Sequence, residues 1–161
     1  MKFIMEDPRS KNAETDWEYA SESNDCSVRA TSIALSKPYK TVHKTFLKHG
    51  RKWGKGVTII TLLAVLKDIT KDKYKTVASD VIRKQTLSTF IKENPKGRYV
   101  IVKSRHAFAV IDGVARVGLS ENEHERILGP AKKAGERELA LAIAQQWSVG
   151  ATTVSASLLL A

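Results

Sequence analysis

Cys26, the single cysteine of this chain, and His106 are the residues whose types and settings could do nucleophilic chemistry. Cys26 follows Asn24 and Asp25 at the start of an apolar stretch, and His106 begins a β-branched and apolar stretch. A thiol reacts as its thiolate, and a helix N-terminus and a nearby histidine both lower the thiol pKa. The pattern therefore predicts Cys26 as a nucleophile of lowered pKa and His106 as general base and acid.

An oxyanion formed in such a reaction would need hydrogen-bond donors close to Cys26. The backbone amide of Cys26 is one candidate, and the side-chain amide of Asn24 is the second. The competing interpretation is structural, since a cysteine in an apolar helix is more often a small buried residue. A lone histidine is likewise more often structural or exposed.

The other histidines do not extend this site. His43 and His49 fall on a basic predicted helix, and His124 lies among glutamates, so we expect all three to be solvated. Four scattered histidines and one cysteine give no recognised zinc spacing and allow no intramolecular disulfide. We therefore expect neither a metal nor another cofactor.

The elements that must position Cys26 and His106 follow from apolar periodicity and turn residues. Helices come first along the chain and strands second, and this order predicts an α+β fold. An Asp-Gly hairpin turn joins the last two predicted strands. The predicted helices are 26–36, 39–49, 58–69, 86–94 and 134–147, and the predicted strands are 73–78, 98–103, 106–111 and 114–117.

Several sequence blocks between about 24 and 118 resemble small papain-like cysteine hydrolases of bacteriophages and prophages. The blocks are NDCSVRATSIA at 24–34, KPY at 37–39, GRYVIV at 97–102 and HAFAVIDG at 106–113. The resemblance implies a papain-like core, with N-terminal helices, a central cysteine-bearing helix and a C-terminal antiparallel sheet. It also implies attack by the thiolate on a peptide or amide bond, and leaves peptidase, deamidase and transferase open.

One departure from the family pattern concerns the third catalytic group. Such proteins place an Asp or Asn on the strand after the histidine, whereas 114–117 reads VARV. Asp112 lies in the hairpin turn, about 20 Å along the strand from His106, and is better explained as a turn residue. The site is then a dyad, takes its third group from elsewhere, or has decayed.

The chain divides, on this interpretation, into an arm at 1–23, a papain-like core at 24–130, and a C-terminal helix with an apolar tail at 131–161. The tail could be a last strand, a partner-binding segment or a disordered end. No signal peptide and no membrane-spanning run is evident, so we expect a cytoplasmic protein, in the host cytoplasm if phage-encoded, with no membrane partner.

Charge suggests partners other than the peptide or protein substrate of a hydrolase. Lys and Arg number 27 against 17 Asp and Glu, a net charge of +10, which attracts nucleic acid or acidic proteins. The densest basic stretch is 37–55, where Tyr39, Phe46 and Trp53 are interleaved and could stack on bases or form core. The alternative function is thus a non-enzymatic basic protein on a papain-like scaffold that binds nucleic acid or a host protein.

Overall fold

The computed structural model describes residues 2–9, 19, 21–77, 87–103, 106–118 and 156–160. These residues form an α+β fold, as the sequence predicts. The helices are α1 (Cys26–Leu35), α2 (Tyr39–Lys48), α3 (Ile59–Thr70) and α4 (Leu87–Glu93). The strands are β1 (Lys2–Met5), β2 (Tyr74–Val77), β3 (Arg98–Lys103), β4 (His106–Ile111), β5 (Val114–Val117) and β6 (Ala156–Leu160).

All six of these strands belong to one sheet, in the order β1-β5-β4-β3-β6-β2. Only the β1–β5 pairing is parallel, and the other four are antiparallel. The predicted hairpin between β4 and β5 is confirmed, with φ angles of 46° at Asp112 and 76° at Gly113. Asp112 also accepts the amide of Gly97 at 2.9 Å, so its carboxylate stabilises the turn.

Segments from both ends of the chain enter this sheet. β1 forms one edge beside β5, and β6 lies between β3 and β2. Of the three alternatives for the C-terminal tail, the structure shows a last strand, at Ala156–Leu160. The predicted helix at 134–147 lies outside the described residues, and the three-part division of the chain stays a prediction.

Alternating side chains of the central strands give the fold three layers. Val100, Ala107 and Ala109 belong to the core that the sheet shares with α1, α2 and α3. Ile101 and Phe108, on the opposite face, pack into a second cluster that contains residues of α4. The cysteine-bearing helix α1 packs mainly against β4, which places the start of α1 beside the strand that begins at His106.

Helix α1 is buried along most of its length and contains a charged pair. Residues 28–34 are all buried, including Arg29. Asp25 occupies the N-cap position, but its carboxylate makes no cap hydrogen bond and instead pairs with Arg29. Ser36 ends the helix in the left-handed conformation, and Pro38 directly precedes α2.

The end of β5 requires a residue without a side chain at Gly118. A Cβ there would lie 2.6 Å from the Cβ of Arg29, whose guanidinium donates to the Gly118 carbonyl at 3.3 Å. We expect Gly118→Ala to lower the free energy of unfolding by about 1–3 kcal/mol, because β5 must move away from α1. Urea unfolding measures this change.

Gly56→Ala is the matched control, because a Cβ at Gly56 meets nothing within 4 Å. We expect it to change the free energy of unfolding by no more than about 0.5 kcal/mol. Equal effects of the two substitutions would contradict the close packing of β5 on α1.

Candidate functional site

The start of α1 and the start of β4 meet at Cys26. The Cys26 side chain is partly buried against the main core, and its sulfur accepts the backbone N–H of Ala107. Ala107 directly follows His106, whose backbone is described as part of β4 but whose side chain is not. The approach of sulfur and imidazole, and the roles assigned to Cys26 and His106, therefore stay predictions.

The environment of the thiol differs from the one that the sequence suggests. Burial raises the pKa of Cys26, and the carboxylate of Asp25 raises it further. Hydrogen bonds from the Ala107 N–H and from the N–H and hydroxyl of Ser27 lower the pKa, but they do not compensate. The predicted depression of the Cys26 pKa is wrong in direction for these surroundings, and the thiol form dominates at neutral pH.

Asn24 connects the start of α1 to the loop that follows α2. Its backbone has the left-handed φ of 53°, which asparagine tolerates better than most residues. Its side-chain amide donates to the carbonyl of Gly54 at 2.9 Å. One amide proton is therefore engaged in holding this loop, and the proposed contact with an oxyanion stays a prediction.

A fully buried ionic cluster lies directly beside Cys26. The two carboxylate oxygens of Asp25 face Nε and Nη2 of Arg29 at 2.9 and 2.8 Å. The hydroxyl of Tyr39 donates to the same carboxylate at 2.7 Å, and burial together with Asp25 raises the Tyr39 pKa. This cluster was not predicted from the sequence. The spacing of four residues between an Asp and an Arg at an apolar helix could have indicated the ion pair.

A second buried ionic cluster is centred on Glu22. Its carboxylate accepts from Arg51 at 2.9 Å, from Nε2 of His43, and from the amides of Gly54 and Ser23 at 2.7 and 3.0 Å. Burial by itself raises the pKa of Glu22. The hydrogen bonds outweigh burial and lower this pKa to about 2.

The prediction that His43 is solvated is wrong. His43 is 0% exposed because it lies on the inner face of α2, in contact with the rings of Tyr19, Tyr39 and Trp53. Helical position 43 falls on the same face as the apolar residues of α2, which the basic composition of that helix obscured. His49 is partly exposed and contacts Asp68 at 2.8 Å.

Within the part of the chain that is described, no group of three His, Cys, Asp or Glu side chains is arranged to hold a metal ion. Among the described helices, none has the length and apolar character to cross a membrane. His124 lies outside the described residues.

Comparison with known proteins gives one family match. The C-terminal residues 102–161 match the family described as Indigoidine synthase A like protein, which covers the last 60 of 161 residues. The match spans less than half of the chain and does not establish membership. No curated protein and no solved structure matches the chain.

This match corrects the resemblance drawn from the sequence blocks. The region that contains His106 matches a family other than the papain-like cysteine hydrolases of phages. The expectations of a phage protein and of a cysteine hydrolase or acyl-transfer activity on peptide or amide bonds are therefore wrong. The papain-like details of the core are not confirmed and stay a prediction. The α+β architecture and the contact between Cys26 and β4 stand independently of that resemblance.

Alkylation of Cys26 by iodoacetamide should follow a raised thiol pKa. We expect the rate in the folded protein to be slow at neutral pH and to rise with a midpoint above about 8.5, because burial and Asp25 disfavour the thiolate. The measurement is the labelling rate as a function of pH, with the urea-unfolded chain as control. Faster labelling of the folded protein at neutral pH, with a fall in rate in His106→Ala, would contradict it.

Acid stability should depend on Glu22. Because its folded pKa is about 2 against 4.5, the ionised carboxylate stabilises the fold above pH 4.5, and this contribution is lost as pH falls from 4.5 to 2. The shift corresponds to roughly 3 kcal/mol. We expect Glu22→Gln to destabilise the neutral protein by about 3–5 kcal/mol, because Arg51 remains buried without its carboxylate.

Urea unfolding of wild type and Glu22→Gln between pH 7 and the acid limit provides the measurement. The difference between the two proteins should shrink within the pH window of Glu22 ionisation. Asp68→Asn, which removes a surface partner of Lys48 and His49, is the control and should have a much smaller effect. A constant difference across the window would show that Glu22 ionisation does not stabilise the fold.

Proposed function

We propose that the protein binds single-stranded nucleic acid through a basic face formed by α2 and the loop after it. The basic face consists of six lysines that project from this part of the fold: Lys37, Lys40, Lys44, Lys48, Lys52 and Lys55. Five of them are exposed and Lys40 is partly exposed. This row of lysines, on a stretch of chain without acidic residues, is the observation that carries the proposal.

The basic face is not neutralised by its own segment. No Asp or Glu occurs between Asp25 and Asp68. The arginines of this stretch, Arg29 and Arg51, are buried in pairs with Asp25 and Glu22, so their charge is already compensated. The surface charge of the stretch is therefore set by its lysines.

Helix α2 has a strict division between its two sides. Tyr39, Val42, His43 and Phe46 are buried, so the lysines three or four positions apart lie toward solvent. Lys48 contacts Asp68 at 3.2 Å, and the other five lysines form no ion pair with a described residue. Solvated lysines without partners can release counterions from a phosphate backbone, which favours nucleic-acid binding.

Trp53 favours single strands over duplexes. Tyr39 and Phe46 belong to the core and cannot stack on a base, whereas Trp53 is 44% exposed. Its ring is stacked on Tyr19, with centroids 5.5 Å apart and planes 5° apart, which fixes its orientation. An exposed indole between Lys52 and Lys55 offers a stacking surface that unpaired bases can use.

The salt dependence of binding tests this function. In fluorescence anisotropy with a labelled oligo(dT), the affinity of wild type should fall steeply with salt. Lys44→Gln/Lys52→Gln should reduce the slope of log K against log salt by about 1.4, or about 0.7 per lost phosphate contact. Its affinity at low salt should also fall.

Lys92→Gln/Lys96→Gln is the matched control, because these exposed lysines lie on and after α4, on the opposite side of the sheet. It removes the same charge and should leave the slope close to that of wild type. Equal slopes for the two double variants would show that binding follows net charge alone. Tighter binding to duplex DNA or to polyglutamate than to oligo(dT) would also contradict the proposal.

A further inference from the structure

A cleft of about 350 Å³ lies at the C-terminal end of α1, against the start of α2 and the strands β3, β4 and β5. Ser32 and Ser36 line it from α1 and its cap, Arg98 from β3 and Arg116 from β5. Cys26 begins the same helix, and ten helical residues span about 15 Å, so the cleft is separate from the thiol. Its volume falls within the range of about 300–1,000 Å³ typical of small-molecule sites.

Arg98 is held in the cleft by the end of α1. Its Nη1 donates to the carbonyl of Ala34 at 3.0 Å and to the hydroxyl of Ser36 at 2.9 Å. These bonds fix the plane of the guanidinium. Nε and Nη2 form no hydrogen bond with a described residue, and a guanidinium presents such donors as a rigid pair.

Arg116 contributes a second fixed guanidinium. Its Nη1 donates to the carboxylate of Glu6 at 3.0 Å. Its Nε is shielded from solvent and has no hydrogen-bond partner among the described residues. The Arg116 side chain as a whole is 30% exposed and lines the cleft, so its guanidinium can donate to an acceptor from a ligand.

The charges that line the cleft favour an anion. Arg98, Arg116 and Lys37 are opposed by one carboxylate, Glu6, which leaves an excess of two positive charges. The nearby Asp7 and Arg9 pair with one another at 2.8 Å and add no net charge. An anion with two negative charges would be balanced in this setting.

We propose that the cleft binds a phosphate monoester, with its terminal oxygens between Arg98 and Arg116 and with Lys37 at the cleft mouth. Two guanidinium groups and an ammonium offer more donors than the two oxygens of a carboxylate can accept. A phosphate monoester has three terminal oxygens and nearly two charges at neutral pH. The proposed site is separate from the basic face except for Lys37, which belongs to both, and it does not rest on nucleic-acid binding.

Isothermal titration with glycerol 3-phosphate at constant ionic strength tests the site. Wild type should bind saturably, with inorganic phosphate weaker than the ester and acetate weaker still. Arg116→Gln should lower the affinity for the ester by at least about tenfold, since it removes a charge-assisted hydrogen-bonding group. Glu6→Gln should strengthen binding, because it removes the opposing charge while its amide oxygen can still accept from Arg116.

Lys37→Gln is a variant that we expect to fold normally, since Lys37 is exposed and its side chain forms no hydrogen bond or ion pair with a described residue. Lys37→Gln should lower the affinity for the ester, whereas Lys92→Gln should not. Circular dichroism establishes that each variant is folded. Absence of saturable binding to wild type, or unchanged affinity in every folded cleft variant, would overturn the proposal. Acetate binding as tight as that of the ester would also overturn it, in favour of a carboxylate site.

Discussion

A carboxylate and a guanidinium are buried together at helix α1, and parts of α1, α2 and the end of β5 contact this pair. Removing both charges from water is costly unless they are paired with one another and hydrogen-bonded. One Asp25 oxygen accepts from Nε of Arg29 and from the Tyr39 hydroxyl, and the other forms an ion pair with Nη2 of Arg29 at 2.8 Å. Arg29 also donates to the carbonyl of Gly118. Three elements, α1, α2 and the end of β5, are fixed relative to one another by this requirement.

The second buried cluster applies the same constraint to the loop after α2. Glu22 is satisfied only when Arg51, His43 and the amide of Gly54 all converge on it. The loop that carries Trp53 is held in place as a result, and Asn24 adds a further hydrogen bond to it. Because both arginines of the stretch are consumed internally, the lysines alone determine its outer charge. The same distribution of charged residues therefore produces both the buried ionic clusters and the basic face.

The position of Cys26 shows how tertiary surroundings change the chemistry that a local pattern suggests. A cysteine at the start of a helix gains from nearby amides, and here Ala107 and Ser27 do donate to its sulfur. Burial and the carboxylate of Asp25 act in the opposite direction and dominate. The acid that forms the ionic cluster with Arg29 therefore also adds to the larger effect of burial in raising the pKa of the neighbouring thiol.

Local sequence patterns determined the helices, the β4–β5 hairpin and the α+β class, because each depends on residues close together in the chain. Apolar spacing placed α1, α2 and α3 to within about two residues, and Asp112-Gly113 specified the turn. The burial of His43 was in principle readable from its helical position, but its partner Glu22 lies outside that helix.

Only the tertiary structure decided which distant segments meet. The pairing of Lys2 with Val114, the insertion of β6 between β3 and β2, and the approach of Arg29 to Gly118 join residues far apart in the chain. The cleft between Arg98 and Arg116 likewise exists because two strands direct these side chains toward the end of α1. No local spacing encodes such contacts, since they depend on the packing of whole elements and on the requirement that buried charges be satisfied.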